Sequence, residues 1–383
     1  MIFTFYINQF LFFFLIFCLL VQLIYFWGIF SRFAFKKEKP VKIDDKETQW
    51  EPVSVVICAK NEARYLKMFL PVILEQDYPE FEVLVVDDNS DDNLSDELIA
   101  LKNKYSNLQV LQISNSFNQT QGKRLALALG IKSAKHNLIL LTDADCWPNS
   151  SQWIKAMVSK HTQQKRIVLG YGAYEMKKGF LDKLVRYDTL HTAIQYFSFA
   201  LIHQPYMGVG RNMLYEKSLY MQNNGYLIGS RSISGDDDLF VNAVATGDNT
   251  DCIYHPIAHT VSVQRNNKLS QGQFQKKRHF SASKFYKPKN KFVLGLYWAS
   301  NCLFYFLLIL SLIFSVLKWQ TIAFLLGVYI LKIASQWIIF AKASNKLAEN
   351  ELIKYLPLLD LIFIVLVPFL HIILLFKKQK RWN

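Results

Sequence analysis

Cysteine is scarce in this chain of 383 residues. The five cysteines are odd in number and no two form a CxxC pair, so the sequence indicates neither a disulfide framework nor a zinc site. This usage fits a reducing compartment. The length excludes a miniprotein held together by disulfides, and an apolar share of 51% excludes a disordered chain.

Charged side chains are missing from long stretches of the sequence. Residues 1–31 contain none, and this run exceeds the about 20 apolar residues that cross a bilayer. It also lacks the basic start and the small-x-small cleavage site of a secretory signal peptide, so we predict an uncleaved anchor. Three further apolar segments lie near the end of the chain, at 292–317, 319–341 and 361–376.

These segments predict the organisation of the chain. The predicted parts are a transmembrane anchor over 1–31, a juxtamembrane linker over 32–52, a soluble region over 53–290, and a membrane region with three apolar segments over 291–383.

Acidic residues are in deficit, since 30 Asp and Glu stand against 44 Lys and Arg, a formal net charge of +14. The basic residues cluster beside the apolar segments rather than on one basic and aromatic face, which favours anionic lipid over nucleic acid as the partner. Basic residues stay on the cytoplasmic side, so the clusters at 32–39 and 276–291 predict a cytoplasmic soluble region. The basic tail after Phe376 conflicts with four full crossings. We therefore expect one of the last three apolar segments, first of all 361–376, to be re-entrant or interfacial.

The soluble region alternates between strand and helix patterns. Continuous apolar runs of strand length are typical of strands buried on both faces. The predicted strands are Val53–Ala59, Phe81–Asp87, Leu108–Ile113 and Asn137–Thr142, and the predicted helices are 62–75, 92–104, 122–134, 180–203 and 239–246. This order predicts an α/β domain with a mostly parallel sheet and helices on both faces, with transmembrane helices at both ends of the chain.

Acidic residues follow two of the predicted strands. Asp87 and Asp88 end the second strand, and Asp143 and Asp145 end the fourth. Ligands of open α/β sheets bind at this edge. In an extended segment, Asp143 and Asp145 point to one face, and their hard oxygens suit Mg²⁺ or Mn²⁺ bridged to substrate phosphates. A single acidic cluster of this kind could be a helix cap or a turn. Two such clusters at the ends of two strands are less well explained in this way.

Seven segments in this order resemble the motifs of membrane-bound family-2 glycosyltransferases, which have the GT-A fold. They cover residues 53–280 and are Val55–Glu62 (VVICAKNE), Val85–Ser90 (VVDDNS), Gly122–Leu127 (GKRLAL), Thr142–Asp145 (TDAD), Gly208–Met213 (GVGRNM), Gly235–Leu239 (GDDDL) and Gln275–His279 (QKKRH). The resemblance implies a nucleotide-sugar-dependent transferase, with a nucleotide diphosphate sugar as its donor.

The resemblance also implies roles for single residues. The implied nucleotide-binding residues are Ala59, Glu62, Asp87, Asp88 and Lys123, and the implied metal ligands are Asp143 and Asp145, for Mg²⁺ or Mn²⁺. Arg211 is a further candidate for substrate binding. It follows two glycines in a strand-like run, which lets a ligand approach the backbone closely.

Two late segments match the places where the family carries catalytic groups. Asp236 or Asp237 would take the proton of the acceptor hydroxyl, and both remain candidates because the family more often has Glu-Asp here. Arg278 would neutralise the departing diphosphate, with Gln275 and His279 beside the substrate. His279 stands where the family usually has Trp, which weakens an inference of processive polymer synthesis.

The function expected from the resemblance is an inverting, metal-dependent sugar transfer to a lipid or lipid-linked acceptor at a bacterial plasma membrane. Processive polysaccharide synthesis is the first alternative, although four apolar segments offer little with which to build a translocation path. Nucleotidyl transfer also uses an α/β sheet with metal-binding carboxylates. A non-catalytic membrane scaffold is the last alternative, and it would not need all of the acidic motifs together.

Overall fold

The computed structural model describes residues 2–37, 41, 49–113, 122–228, 235–264, 282–314 and 319–376. These residues form two compact units. The apolar unit comprises residues 2–37 and 287–376, and the α/β unit comprises the described residues from 41 to 286.

The chain begins with a long apolar helix. It consists of α1 (Ile2–Leu23), a π-helical segment (Ile24–Phe30) and α2 (Ser31–Ala34). No side chain of α1 is charged, and the stretch Gln9–Ala34 is long and apolar enough to cross a membrane.

The first half of the α/β unit is a parallel sheet. Its strands are β1 (Val53–Ala59), β2 (Phe81–Asp87), β3 (Leu108–Gln112) and β4 (Leu138–Asp143), and the helices between them are α3 (Ala63–Leu74), α4 (Leu94–Lys104) and α5 (Gly122–Ser133). The register pairs Ala59 with Asp87 and Cys58 with Asp143. The predicted alternation is therefore confirmed, and the strand ends that carry the acidic residues flank the end of β1 on its two sides.

The second half of the unit adds short strands to this sheet and forms a second, smaller sheet. They are β5 (Cys146–Pro148), β6 (Ile167–Leu169), β7 (Gly172–Tyr174), β8 (Met213–Glu216), β9 (Thr250–Cys252) and β10 (Thr260–Ser262). The larger sheet has the order β3-β2-β1-β4-β8-β6-β9, and β5-β10-β7 form a smaller one. β8 is antiparallel to both β4 and β6, whereas the other pairs of the larger sheet are parallel. The mostly parallel sheet is thus confirmed.

Four helices accompany these strands, namely α6 (Trp153–Val158), α7 (Phe180–Leu201), α8 (Lys217–Gln222) and α9 (Asp236–Val244). The helix predicted at 180–203 is confirmed as α7. The helix predicted at 239–246 begins three residues earlier, because Gly235 takes a left-handed conformation at its N-cap and the chain turns there rather than after the acidic run.

Helices cover the sheet on both faces because the side chains of each strand alternate. Val53, Val55 and Ile57 of β1 pack with α3, α4 and α6 in one core. On the opposite face α5 comes so close that a Cβ at Gly130 would lie 2.8 Å from Val86 and 2.9 Å from Val56. Each fully buried apolar side chain contributes about 1.5–3 kcal/mol, so these two cores hold the strand ends in fixed positions.

Three helices complete the apolar unit. They are α10 (Pro288–Phe314), α11 (Trp319–Lys346) and α12 (Leu356–Phe376), with a 3₁₀ helix (Asn350–Tyr355) before α12. In the described chain, α10 and α11 join Gln9–Ala34 as segments long and apolar enough to cross a membrane.

The ends of three helices meet at one end of the apolar unit. α1 and α10 are antiparallel, since Gln22 Nε2 donates a hydrogen bond to Tyr297 O at 2.9 Å and the Tyr25 hydroxyl donates to Val293 O at 2.5 Å. α11 finishes beside them, where Lys346 Nζ donates to Phe33 O at 2.6 Å. The helix ends at residues 34, 288 and 346 therefore lie together.

Candidate functional site

The loops after β1 and β2 are tied to each other. Asn61 N donates a hydrogen bond to Ser90 Oγ at 2.9 Å, and Asp91 N donates to Asn61 Oδ1 at 2.8 Å. Asn61 has a φ of 56°, a left-handed conformation that Asn tolerates better than most residues. The two loops therefore form one platform at the carboxyl edge of the sheet.

Asp87 and Asp88 have different surroundings on this platform. Asp87 Oδ1 accepts hydrogen bonds from Ser90 N at 3.0 Å and from Ser90 Oγ at 2.6 Å. Asp88 is 1% exposed, and within the described part of the chain neither of its carboxylate oxygens has a hydrogen-bond partner. Burial raises the pKa of Asp88, against the opposing charge of Lys60. Unpaired buried acceptors are costly, so Asp88 is ready to accept hydroxyl or N–H donors of a ligand.

Ala59 ends β1 and Glu62 precedes α3 in the loop that joins this platform. Ala59 O accepts a hydrogen bond from Asp88 N at 2.8 Å, and Glu62 O accepts two from the first turn of α3, at 3.0 Å each. The structure thus brings the predicted nucleotide-binding residues after β1 and β2 into one place.

Asp143, Asp145 and Cys146 form the candidate metal site. One ligand atom from each lies within 4.8 Å of the others. The two carboxylates converge because Asp143 ends β4 and Asp145 sits in the turn before β5, not because an extended segment points them to one face, as the sequence suggested. Two carboxylates that converge on one point suit a hard divalent cation such as Mg²⁺ or Mn²⁺.

Lys123 is paired with the candidate metal site. Its Nζ lies 2.5 Å from Asp143 Oδ1, and the two side chains are 28% and 35% exposed. Burial alone would lower the pKa of Lys123, but the carboxylates of Asp143 and Asp237 raise it above its ordinary value. Lys123 is therefore a charged partner of the acidic edge and not a solvated surface lysine.

The three aspartates at the start of α9 point in different directions. Successive residues of a helix are about 100° apart, and the first turn of α9 carries all three. Asp238 is buried and bonds to Tyr286. Asp237 lies against Gly210, since a Cβ there would be 1.8 Å from Asp237 Oδ2. The acidic run is thus the first turn of the helix rather than its cap.

Of these three, Asp237 is the carboxylate beside the Lys123–Asp143 pair. Burial raises the pKa of Asp237 to about 7, with Lys123 opposing the shift and Asp143 adding to it. A carboxyl group titrating near neutral pH can accept a proton during a reaction. Together with burial, the charge of Asp236 raises the pKa of Tyr220, and it adds to the raised pKa of Asp237.

The comparison with known protein families finds a match in the part of the chain that carries this site. Residues 54–222 match the family model described as glycosyl transferase family 2. Among solved structures, the mannosyltransferase PcManGT from Pyrobaculum calidifontis, in complex with GDP-Man and Mn²⁺, aligns with 94% of this chain and 98% of its own at a TM-score of 0.59 and 16% identity.

The chain carries a family-2 glycosyltransferase domain with the GT-A fold.

Curated relatives match this glycosyltransferase domain over short stretches. Glycosyltransferase AglE from Haloferax volcanii is 33% identical over 109 residues, which is 28% of this chain and 34% of AglE. A poly-beta-1,6-N-acetyl-D-glucosamine synthase from Staphylococcus epidermidis is 30% identical over 121 residues, which is 30% of this chain and 27% of that protein. The matched part spans about a third or less of the length of these relatives.

Arg211 contacts β7 of the glycosyltransferase domain. Its Nε and Nη2 donate hydrogen bonds to Gly172 O at 3.1 and 2.6 Å, and its guanidinium stacks on the Tyr174 ring at 4.6 Å. The run before it is a turn rather than the strand that its sequence suggested, because β8 begins only at Met213. Arg211 thus has backbone and ring partners of its own. The charge of Asp143 also favours the charged form of its guanidinium.

Three predicted residues cannot be placed. Gln275, Arg278 and His279 lie outside the described residues, so their implied roles stay predictions.

Sequence reasoning missed three residues at this site. Cys58 faces Asp143 across the strand pair, and burial raises its pKa to about 12, which keeps the thiol neutral. Cys146 adds its sulfur to the Asp143 and Asp145 cluster. Gly210 makes room for Asp237. Cys58 is the last residue but one of β1 and Cys146 follows the DxD motif directly, which are positional signals. The contact between residues 210 and 237 leaves no local trace in the sequence.

Proposed function

We propose that the protein transfers a sugar from a nucleotide diphosphate donor to a membrane-associated acceptor, with inversion at the anomeric carbon and with a divalent cation. The observation that carries this proposal is the convergence of Asp143, Asp145, Lys123 and Asp237 at the carboxyl edge of one sheet. The named relatives, which include glycosyltransferases and polysaccharide synthases, support the same class of reaction.

The donor is proposed to lie along the platform after β1 and β2. Asp87 and Asp88 supply acceptors for the N–H and hydroxyl groups of a nucleoside, and the unpaired oxygens of Asp88 are the strongest sign of such a ligand. Asp143 and Asp145 would hold Mg²⁺ or Mn²⁺, whose positive charge stabilises a departing diphosphate. Lys123 adds a second positive charge at the same place.

Asp237 is proposed as the base. In the transfer step a bond forms between the acceptor oxygen and the anomeric carbon, the bond from that carbon to the diphosphate oxygen breaks, and the hydroxyl proton passes to the base. Asp237 suits this role because it is half-buried, the charge of Lys123 acts on it, and its pKa is raised to about 7. Asp238 is bonded to Tyr286 and serves the fold instead.

The acceptor is proposed to be a lipid or a lipid-linked saccharide, and the chain is proposed to be an integral protein of a bacterial plasma membrane with the α/β unit in the cytoplasm. Three segments able to cross a membrane in the same chain support this class of acceptor. The basic clusters on both sides of the α/β unit support its cytoplasmic side.

Processive polysaccharide synthesis is the second candidate function. It is favoured by relatives named poly-beta-1,6-N-acetyl-D-glucosamine synthase and hyaluronan synthase. A single transfer is preferred because His279 replaces the Trp that the family usually has at this place.

The test separates binding from chemistry. Asp237→Asn keeps the size of the side chain and deletes its basicity, so donor affinity should persist while the transfer rate falls by about 10²–10⁴. Asp236→Asn is the matched control and should stay near the parent rate. Arg278→Lys keeps the charge and loses the planar fork, so turnover should fall with only modestly weaker donor binding. Equal rates for parent, Asp236→Asn and Asp237→Asn would refute the assignment of a base to this cluster.

A further inference from the structure

A lysine side chain is paired with one residue of the candidate metal site. Lys123 Nζ stands 2.5 Å from Asp143 Oδ1, and Asp143 is one of the three residues of that site. The charge of Asp237 also favours the ammonium form of Lys123. Lys123 therefore already supplies part of the positive charge that a divalent cation would bring.

A divalent cation and the Lys123 ammonium compete for this carboxylate. Like charges this close repel strongly in a partly buried site, so a metal bound to Asp143 forces Lys123 to give up its partner. Lysine has a long flexible stem and three rotatable donors, and at 28% exposure the side chain can swing away. It loses its ion pair unless another anion is near.

We propose that Lys123 couples metal binding to nucleotide binding: the metal alone binds weakly because it must displace Lys123, and it binds well with a nucleoside diphosphate because Lys123 then moves to the phosphates. This inference rests on the proposed function and deepens it. It makes Lys123 a positioning residue whose partner changes between the empty and the loaded site.

The test measures Mn²⁺ binding without any turnover. Free Mn²⁺ is quantified by electron paramagnetic resonance in titrations of the full-length, detergent-solubilised protein, alone and with GDP or UDP. For the parent we expect at least tenfold tighter Mn²⁺ binding when the diphosphate is present. Lys123→Met removes the competing charge and keeps the length of the side chain, so Mn²⁺ alone should bind at least fivefold tighter and the nucleotide should add little.

Lys132→Met is the control, because Lys132 is exposed on the same helix α5 and should behave as the parent. Coupling is disproved if folded Lys123→Met binds Mn²⁺ alone no tighter than the parent, or if the nucleotide still tightens Mn²⁺ tenfold in that variant. A parent that binds neither GDP nor UDP with Mn²⁺ would instead count against the proposed function, so the two failures are distinguishable. Thermal unfolding of each variant establishes that it is folded.

Discussion

Replacing Gly210 by alanine should displace the proposed base, Asp237, while leaving its carboxylate chemically unchanged. A Cβ at this position would lie 1.8 Å from Asp237 Oδ2, whereas contacts to a Cβ under 3.0 Å are essentially never found. The carboxylate must therefore move by about 1.2 Å. A misplacement of about 1 Å at a reacting group can lower a rate by about 10², which corresponds to about 2.7 kcal/mol of activation free energy.

The assay for Gly210→Ala follows release of nucleoside diphosphate at saturating donor, with donor affinity measured separately by calorimetry. We expect the rate to fall about 10²-fold and donor affinity to stay close to that of the parent. Gly295→Ala is the control, because an added Cβ there meets nothing within 4 Å. A folded Gly210→Ala protein with a rate within twofold of the parent would refute the reasoning that Asp237 needs its present position.

Three further changes probe the framework around the site. Gly130→Ala should lower the free energy of unfolding by about 1–3 kcal/mol, seen in thermal melts, because a Cβ there would lie under 3 Å from Val86 and Val56; an unchanged melting temperature would contradict the tight packing of α5. Burial alone would raise the pKa of Glu216, but hydrogen bonds from Arg166, Ser218 and His161 lower it below 4.5. Its contribution to stability is present above pH 4.5 and lost as the pH falls, so melting temperatures of the parent and Glu216→Gln should converge in acid, and a constant difference would argue against this network. In the apolar unit Lys332 Nζ lies 2.6 Å from Asp360 Oδ2, with both side chains almost fully buried. Lys332→Met leaves that carboxylate buried without its cation and should cost about 3–5 kcal/mol in detergent melts, whereas Lys332→Met with Asp360→Leu should recover most of this loss. Equal losses in the single and double variants would show that pairing is not the cause.

The parallel half of the sheet was predictable because its strands are buried on both faces. Val53–Ala59 and Phe81–Asp87 were predicted with the bounds that the structure gives, since a continuous apolar run between polar loops leaves little choice of register. The short strands β5 to β7, β9 and β10 have three residues each. Three residues are too few to show the alternation of apolar and polar side chains that marks a strand in the sequence. Only tertiary contacts define these strands.

The candidate site was predictable where chemistry follows a strand end. Asp87, Asp88, Asp143 and Asp145 are local in the sequence, and the parallel register brings them to one edge. Which of Asp236 and Asp237 lies against Gly210 was not predictable, because it depends on where α9 begins. That start is set by the left-handed Gly235, and the sequence placed it three residues too late.

The central claim is that the carboxyl edge of this sheet cleaves a nucleotide sugar with a metal held by Asp143 and Asp145. The direct measurement incubates the full-length protein in detergent with a panel of UDP- and GDP-sugars plus Mn²⁺ and quantifies released nucleoside diphosphate. The account predicts release from at least one donor, loss of that release on chelation, and its loss in both Asp143→Asn and Asp145→Asn. Release at the parent rate in both variants, or no binding of any donor by the folded parent, would contradict it.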